Sequence, residues 1–409
     1  MKLLFVHQNF PGQFQHLAPA IAANPANQVL ALTMRKDVPN LHPRLRIARY
    51  ATKRGTSKQI HPWVADFETK VIRAEAAMQA AVAMKKQGFT PDVVVAHPGW
   101  GESLFLRDVW PQVKLGIYSE FYYSADGDTA FDPEFPTADY VVEASRLRIK
   151  NANNALHFEI ANGGLSPTKW QRSTFPEPFR SRITVAHDGV DTDRLAPLAS
   201  ARFELPGGGT LTREDEVITF VNRNLEPYRG YHVFMRALPE LMARRPKAHV
   251  VVVGGDDVSY GARPPEGKTW KQIFLDEVAD RIDHGRLHFV GHLPYPNFVS
   301  LLQVATVHVY LTYPFVLSWS LIEAMSVGCA IVASRTQPLL EAIEHGERGL
   351  LVDFFDIAAF ADAVATLAAD PDRRHRMGEQ ARAFACRTYD LRRVCLPAQA
   401  RWVQQLAGS

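Results

Sequence analysis

The stretch Val93-Val94-Val95-Ala96-His97-Pro98-Gly99 places an uninterrupted apolar run directly before a polar side chain and two turn-forming residues. A short apolar run of this kind is typical of a parallel strand that is buried on both faces. Similar runs recur along the chain and alternate with longer helical segments such as Phe67–Lys86. Strands that alternate with helices predict βαβ units and a parallel sheet covered by helices.

Two such series divide the chain. The predicted strands of the first series are Leu3–His7, Gln28–Thr33, Val93–His97, Leu115–Tyr118, Tyr140–Val142, Ala155–Ile160 and Ile183–His187. Those of the second are Val217–Asn222, Ala248–Gly254, Leu287–Val290, Val307–Leu311 and Ala330–Ser334. Between them, Asp191–Glu216 carries prolines and three consecutive glycines without a periodic apolar signal, as a linker does. We expect an α/β protein with doubly wound domains at 1–195 and 217–388, a linker at 196–216, and a C-terminal helix at 389–409 that crosses back to the first domain.

Composition excludes several classes of protein. The 46 Lys and Arg residues nearly balance the 43 Asp and Glu residues, so the chain lacks the basic excess of a nucleic-acid binder. The three cysteines form no CxxC pair, which disfavours a disulfide framework and a cysteine zinc site. The apolar stretch at the N-terminus is too short for a signal peptide, and the run Val304–Trp319 is too short to span a bilayer. We expect a cytoplasmic protein.

Open parallel sheets bind ligands at the carboxyl ends of their strands. Three residues at such positions in the first half are candidates: Gly12, which also fits an ordinary tight turn, His97, which also fits a cap, and Glu120. Glu120 stands among aromatic residues, which equally fit a stacking surface or a core. We expect apolar surroundings to raise the pKa of Glu120 and to suit it to proton exchange.

In the second half, Arg223 and Arg229 bracket a turn that follows a strand. Guanidinium groups match phosphate oxygens and never lose their charge, so this pair suits a diphosphate, although isolated surface arginines are usually only solvated. The stretch from Thr312 to Met325 places Pro314 and two serines before an apolar helix that contains Glu323. Free amides near its start would face the ligand, and Glu323 could bind a vicinal diol such as ribose.

Several motifs of this sequence resemble one family. Phe289-Val290-Gly291-His292, His187-Asp188-Gly189-Val190-Asp191 and Leu321-Ile322-Glu323-Ala324-Met325, together with the arginine pair, look like the retaining GT-B glycosyltransferases of family 4. The resemblance implies two Rossmann-like domains facing a central cleft, an acceptor domain followed by a nucleotide-sugar donor domain. It also implies transfer of a sugar from a nucleotide-diphosphate donor to an acceptor hydroxyl, in glycan or glycoconjugate biosynthesis.

The resemblance also implies roles for individual residues. Arg223 and Arg229 would hold the donor diphosphate. Together with the strand-end residues His97 and Glu120, they are the predicted catalytic residues. The implied donor-binding residues are Gly12, His292, Leu293, Ser318, Trp319 and Glu323. Within this set, Ser318 and Trp319 would offer backbone amides to phosphate and Glu323 would bind the ribose.

Two positions depart from the family pattern. The first glutamate of the family's two-glutamate motif corresponds here to Phe315, so the donor-sugar contacts cannot be transferred. Glu120 stands where relatives often have histidine. The donor sugar and the role of Glu120 therefore stay open.

We expect neither a metal nor another cofactor. The two DxD sequences, Asp126-Gly127-Asp128 and Asp191-Thr192-Asp193, resemble manganese-binding motifs, but such short patterns recur by chance. The expected partners are a UDP- or GDP-linked sugar and a glycan, lipid-linked or small-molecule acceptor, with no nucleic acid. The basic stretch from Arg44 to Lys58 fits either a solvated face or a peripheral contact with the inner membrane face.

Two other functions fit the same sequence. A GT-B-shaped sugar-nucleotide epimerase would use His97 and Glu120 as acid–base groups and would need no acceptor. A sugar-nucleotide-binding homologue without activity would explain Phe315 in place of the motif glutamate.

Overall fold

The chain passes between two units after Asp188 and returns after Leu391. The first unit comprises Met1–Asp188 and the chain from Arg392 onward, and the second comprises Gly189–Leu391. The computed structural model describes residues 1–127, 130–136 and 139–408. Asp128 of the first DxD sequence lies outside these residues.

The first unit is built around a parallel sheet. Its strands are β1 (Lys2–Val6), β2 (Gln28–Thr33), β3 (Leu45–Arg49), β4 (Val93–Ala96), β5 (Lys114–Tyr118), β6 (Gly163–Ser166) and β7 (Ile183–Val185). Its helices before the crossing are α1 (Leu17–Ala23), α2 (Pro62–Lys86), α3 (Leu106–Val109), α4 (Tyr140–Ile160) and α5 (Lys169–Thr174). The strand order is β3-β2-β1-β4-β5-β6-β7, and the central strands β1 and β4 are almost wholly buried, as their apolar sequences predict.

The second unit contains a second parallel sheet and a small hairpin. Its strands are β8 (Arg202–Glu204), β9 (Thr210–Thr212), β10 (Val217–Asn224), β11 (His249–Gly255), β12 (Leu287–Gly291), β13 (Val307–Tyr310), β14 (Ile331–Ser334) and β15 (Leu350–Val352). Its helices are α6 (Tyr231–Arg244), α7 (Trp270–Asp276), α8 (Tyr295–Val304), α9 (Trp319–Ser326), α10 (Ile357–Ala369) and α11 (Pro371–Thr388). The sheet order β12-β11-β10-β13-β14-β15 is that of a Rossmann fold. The predicted pair of Rossmann-like α/β domains is therefore confirmed.

The last helix, α12 (Leu396–Gly408), packs on β5 of the first unit. Gly116 in β5 permits this contact, because a Cβ atom there would come within 2.4 Å of Leu406 and 2.7 Å of Trp402. The two apolar side chains cover the face of the sheet that a larger residue at position 116 would block. The burial of Trp402 and Leu406 holds the returning chain on this unit.

Two predicted strands of the first half are wrong. Tyr140–Val142 and Ala155–Ile160 are the two ends of α4, and the strand that follows is Gly163–Ser166. Short apolar runs do not distinguish a strand from a helix face. The strand β6 begins with two glycines, so its sequence lacks the apolar run by which a buried strand is predicted.

The segment 196–216 does not connect the units as a linker. Its strands β8 and β9 form an antiparallel hairpin whose turn contains Gly207-Gly208-Gly209. Phe203 and Leu211 bury their side chains in the core of the second unit. The hairpin is too short to show periodicity, so only its turn was visible in the sequence.

Within the described ranges, no helix combines the length and the apolar composition that crossing a bilayer requires.

Buried histidines make the stability of the fold depend on pH. His157 bonds Ser103 and the carbonyl of Asn153, at 2.8 and 2.7 Å, and His308 bonds Thr219 at 2.9 Å. Burial lowers the pKa of each imidazole from 6.5 to about 4. The unfolded chain therefore takes up protons near pH 6.5, whereas the folded chain does so only near pH 4.

We predict that the free energy of unfolding decreases as the pH falls from 6.5 towards 4. Each such histidine contributes a slope of up to about 1.4 kcal/mol per pH unit in that window. Replacing His308→Gln should flatten the dependence by about one proton, measured by denaturant unfolding between pH 7.5 and 4.5. The exposed His375→Gln variant is the control, and an unchanged slope in His308→Gln would contradict the prediction.

Candidate functional site

In both large sheets the strand order reverses beside the strand that comes first in the sequence of that sheet, between β1 and β4 and between β10 and β13. Doubly wound sheets bind ligands at the carboxyl ends of the strands at this point. In the first unit, His7 follows β1, His97 follows β4, and Glu120 lies just beyond β5. The structure therefore brings the predicted residues His97 and Glu120 together, with 3.6 Å between His97 Nε2 and Glu120 Oε2.

The imidazole of His7 explains why position 12 is a glycine. Its φ is +47°, and a Cβ atom at this position would lie 2.2 Å from His7 Nε2. The glycine lets the loop after β1 close over the buried ring. A contact of Gly12 with a donor stays a prediction.

The prediction that apolar surroundings raise the pKa of Glu120 is wrong. Burial does oppose ionisation of this carboxyl, but the facing His97 and a hydrogen bond from Gln13 outweigh it and lower the pKa. Gln13 Nε2 donates to Glu120 Oε1 at 3.3 Å. Glu120 is therefore an ionised hydrogen-bond acceptor at neutral pH rather than a proton donor.

In the second unit the two predicted arginines differ in their surroundings. Arg223 is exposed near the end of β10, whereas Arg229 is buried in the turn Pro227–Arg229. Arg229 Nη1 donates to Thr312 Oγ1 at 2.7 Å, to the Val316 carbonyl at 3.3 Å and to the Tyr310 hydroxyl at 3.4 Å. The guanidinium thus lies between the ends of β10 and β13, where the strand order reverses.

Aromatic rings enclose the Arg229 guanidinium. Its carbon lies 5.1 Å from the centre of the Tyr260 ring and 5.7 Å from that of Phe315. Among the described residues, no carboxylate forms an ion pair with Arg229. Hydroxyl dipoles and π faces attract a cation but do not neutralise it. The second unit therefore holds a buried positive charge that only an anion can balance.

Glu226 fixes the loop that carries Tyr260. Its carboxylate, fully buried, accepts backbone N–H groups from Ser259, Tyr260 and Gly261 at 3.1, 3.2 and 3.0 Å. Asn224 donates to the Ser259 hydroxyl at 2.8 Å. These bonds hold the partly exposed Tyr260 ring over the guanidinium.

The start of α9 is already hydrogen-bonded. The Ser318 amide donates to the Tyr310 hydroxyl at 3.1 Å, and the Ser318 hydroxyl accepts the Ser320 amide at 3.3 Å. Ser318 and Trp319 are half-buried. A phosphate could accept the Ser318 amide only in exchange for Tyr310, so the predicted amide contacts stay predictions.

Glu323 lies in the second turn of α9. Burial raises the pKa of its carboxyl, against the effect of a hydrogen bond from the Tyr295 hydroxyl at 2.8 Å. The exposed His292 and half-buried Leu293 precede this tyrosine in the loop before α8. His292 also lies against Gly255 at the end of β11, where a Cβ atom would come within 2.5 Å of the ring. These three predicted donor-binding residues thus belong to the carboxyl edge of one sheet.

Phe315 is buried and is one of the aromatic rings around the Arg229 guanidinium. Its ring centre lies 5.1 Å from that of Tyr260 and 5.2 Å from that of Tyr228. The sequence identified Phe315 only as a departure from a motif. It gave no indication of Tyr260, Glu226 or Gln13, because their contacts join distant segments.

Family models match both halves of the chain. One, described as Glycosyl transferase family 4 group, matches residues 25–195. Another, described as Glycosyl transferases group 1, matches residues 207–384. The first match covers β2 to β7 of the first unit, and the second covers the six-stranded sheet of the second unit.

Similar sequences are named D-inositol 3-phosphate glycosyltransferase. The protein of Kribbella flavida is 27% identical over 330 residues, which cover 77% of this chain and 70% of the relative. That of Corynebacterium efficiens is 30% identical over 211 residues, covering 48% of each. The chain thus spans about half the length of the second relative.

Solved structures share the fold over the whole chain. Sucrose-phosphate synthase from Thermosynechococcus elongatus has a TM-score of 0.73 at 17% identity, with 100% of both chains covered. Anabaena HepE in complex with UDP-glucose has a TM-score of 0.67 at 15% identity, covering 100% of this chain and 99% of the other. The two-unit architecture of this chain is therefore that of GT-B glycosyltransferases.

We predict that Glu226→Gln loosens the Tyr260 loop. An amide offers one acceptor oxygen where three N–H donors converge, and its NH₂ group repels them. Losing bonds to a charged acceptor costs about 1.5–3 kcal/mol, so amide exchange at Ser259–Gly261 should accelerate about 10- to 100-fold, measured by hydrogen–deuterium exchange. Glu266→Gln, an exposed change in the same loop, is the control. Equal exchange in Glu226→Gln and the wild type would refute the anchoring role.

Proposed function

Since this chain belongs to the group 1 glycosyltransferases, we propose that it transfers a sugar from a nucleotide-diphosphate donor to an acceptor hydroxyl, with retention at the anomeric carbon. The second unit would bind the donor and the first unit the acceptor. The names of the relatives in Kribbella and Corynebacterium support transfer to a small polyol or its phosphate.

The buried Arg229 is the observation that carries this proposal. An unpaired guanidinium at the carboxyl edge of a Rossmann-like sheet requires an anion, and a diphosphate offers several oxygens to its fork of donors. The exposed Arg223, six residues earlier, is free to approach the same anion from solvent. Positive charge fixed before the reaction stabilises the negative charge that develops on a leaving diphosphate.

Glu323 suits the nucleotide ribose. Its raised pKa reflects burial, and its carboxyl already accepts one hydroxyl, that of Tyr295. The two ribose hydroxyls would donate to the same carboxylate and relieve its desolvation. The complexes of HepE with UDP-glucose and with UDP favour uridine as the base of the donor.

In the proposed reaction the bond between the anomeric carbon and the diphosphate oxygen breaks, and a bond from the acceptor oxygen forms on the same face. The acceptor proton passes to the leaving diphosphate oxygen. The protein then supplies position and charge stabilisation rather than a nucleophile. Phe315 leaves this part of the donor site without a carboxylate, so hydrogen bonds to the sugar must come from other groups.

Release of nucleoside diphosphate from a panel of UDP- and GDP-linked sugars, with and without acceptors, tests the proposal. We expect acceptor-dependent release. An Arg229→Lys variant should lower kcat/KM for the donor about 10- to 100-fold, since lysine keeps the positive charge but lacks the paired N–H donors of a guanidinium group. Arg236→Lys, which alters an arginine paired with Glu277, is the control. Epimerised donor without release would indicate an epimerase, and binding without turnover a binding protein; either result would overturn the proposal.

The basic stretch suits a peripheral contact with an anionic membrane surface. Arg46, Lys53 and Lys58 are exposed. Each such charge near an anionic bilayer contributes about 1 kcal/mol. Changing all three residues to Gln should reduce flotation with phosphatidylglycerol vesicles several-fold while leaving phosphatidylcholine vesicles unbound. Equal flotation of variant and wild type would show that this stretch is only a solvated face.

A further inference from the structure

The imidazole of His97 has a buried nitrogen that makes no full hydrogen bond. His97 is 3% exposed, and among the described residues its Nε2 atom has no hydrogen-bond partner. Glu120 Oε2 faces it at 3.6 Å, close enough for electrostatic attraction but beyond hydrogen-bond distance. A buried polar atom left unpaired is costly, so this atom points to a ligand.

The backbone determines which nitrogen of His97 carries the proton. The Gly99 amide donates to His97 Nδ1 at 3.1 Å, so Nδ1 is the acceptor. In a neutral imidazole the proton is then on Nε2. His97 therefore presents an N–H group towards Glu120.

Hydrogen bonds from His7 and Gln13 determine what faces the other carboxylate oxygen of Glu120. The Asn9 amide donates to His7 Nδ1 at 3.0 Å, so His7 carries its proton on Nε2 and donates to Gln13 Oε1 at 2.9 Å. The amide group of Gln13 then donates to Glu120 Oε1 at 3.3 Å. Burial, and the proximity of His97, lower the pKa of His7 to about 3, so His7 stays neutral. The hydrogen bonds from His7 through Gln13 therefore end on Oε1 of Glu120 and leave Oε2 open. The Glu120 side chain is 41% exposed.

We propose that a hydroxyl of the acceptor, other than the one that attacks the donor, bridges His97 and Glu120, accepting the Nε2–H of the histidine and donating its own hydrogen to Oε2 of the glutamate. The proposal rests on the proposed function and names its acceptor class: a polyol. A phosphate oxygen would accept from His97 but would be repelled by Glu120, and an ammonium group would donate to Glu120 but could not accept from His97. A hydroxyl satisfies both groups.

Trp100 adds an apolar wall to this polar pair. Its ring centre lies 4.7 Å from those of both His7 and His97, and it is half-buried. Tyr118 stacks on the other side of His97 at 5.4 Å. The hydroxyl-bearing ring of a sugar or cyclitol has an apolar C–H face that packs against such a surface. His97 and Glu120 touch the acceptor and hold it, with no proton transferred, while His7 and Gln13 are positioning residues.

The tautomers are tested in the protein without any substrate. In ¹⁵N spectra of histidine-labelled protein at pH 7, we expect the imidazole proton of His7 and that of His97 on Nε2. Addition of myo-inositol or glucose should shift the His97 Nε2 signal, whereas inorganic phosphate should not. A proton on Nδ1 of His97, or a larger shift with inorganic phosphate, would overturn the proposal whether or not the chain is a transferase.

Kinetics test the roles of the residues. With the donor that supports release, Glu120→Gln should raise KM for the polyol about 10-fold, and Gln13→Met about 3-fold, while Kd for UDP changes less than 2-fold. Glu75→Gln, an exposed change on α2, is the matched control. An unchanged polyol KM in Glu120→Gln would refute the bridging hydroxyl. If no acceptor supports release, the proposed function fails, and the ¹⁵N titration still decides which ligand class His97 binds.

Discussion

The guanidinium of Arg229 is buried and pairs with no carboxylate in the part of the chain that the structure describes, and the site of the second unit is arranged around that charge. Burying an unpaired ion costs several kcal/mol, so the surrounding groups must compensate. Thr312 and Tyr310 supply oxygen atoms, and Tyr260 and Phe315 supply ring faces. These groups carry no net charge, so the remaining attraction is available to an anionic ligand. Glu226 is close along the chain, but three backbone amides engage its carboxylate.

The fold could be predicted where burial on both faces makes a strand apolar throughout. Val93–Ala96 and Val217–Val221 show this pattern and form central strands. The prediction failed where a strand is stabilised by packing against residues far away in the sequence. Gly163–Ser166 has little apolar sequence and pairs beside Gly116, on which Trp402 and Leu406 pack. The opposite error occurred at the start of α4, where an apolar run predicted a strand. This run is an exposed helix end, with Val141 68% exposed.

The site could be predicted to the extent that strand ends mark it. His97, Glu120 and Arg229 were found because each follows a strand. Their chemistry could not be read in the same way, since the pKa of Glu120 depends on Gln13 and His97, which no local pattern places beside it. Glu226 and Tyr260 were missed because the bonds between them join two loops that only the sheet brings together.

The two units place opposite charges at equivalent positions of similar sheets. In the first unit the ionised Glu120 lies beside His97, and in the second Arg229 lies among tyrosines and pairs with no carboxylate of the described residues. A nucleotide diphosphate at the first site would meet a carboxylate, and a neutral polyol at the second would leave the guanidinium unbalanced. Each ligand is therefore disfavoured at the wrong site by electrostatics alone, before any difference in pocket shape is considered. Selection of this kind allows one chain to use the same fold twice for two substrates of different charge.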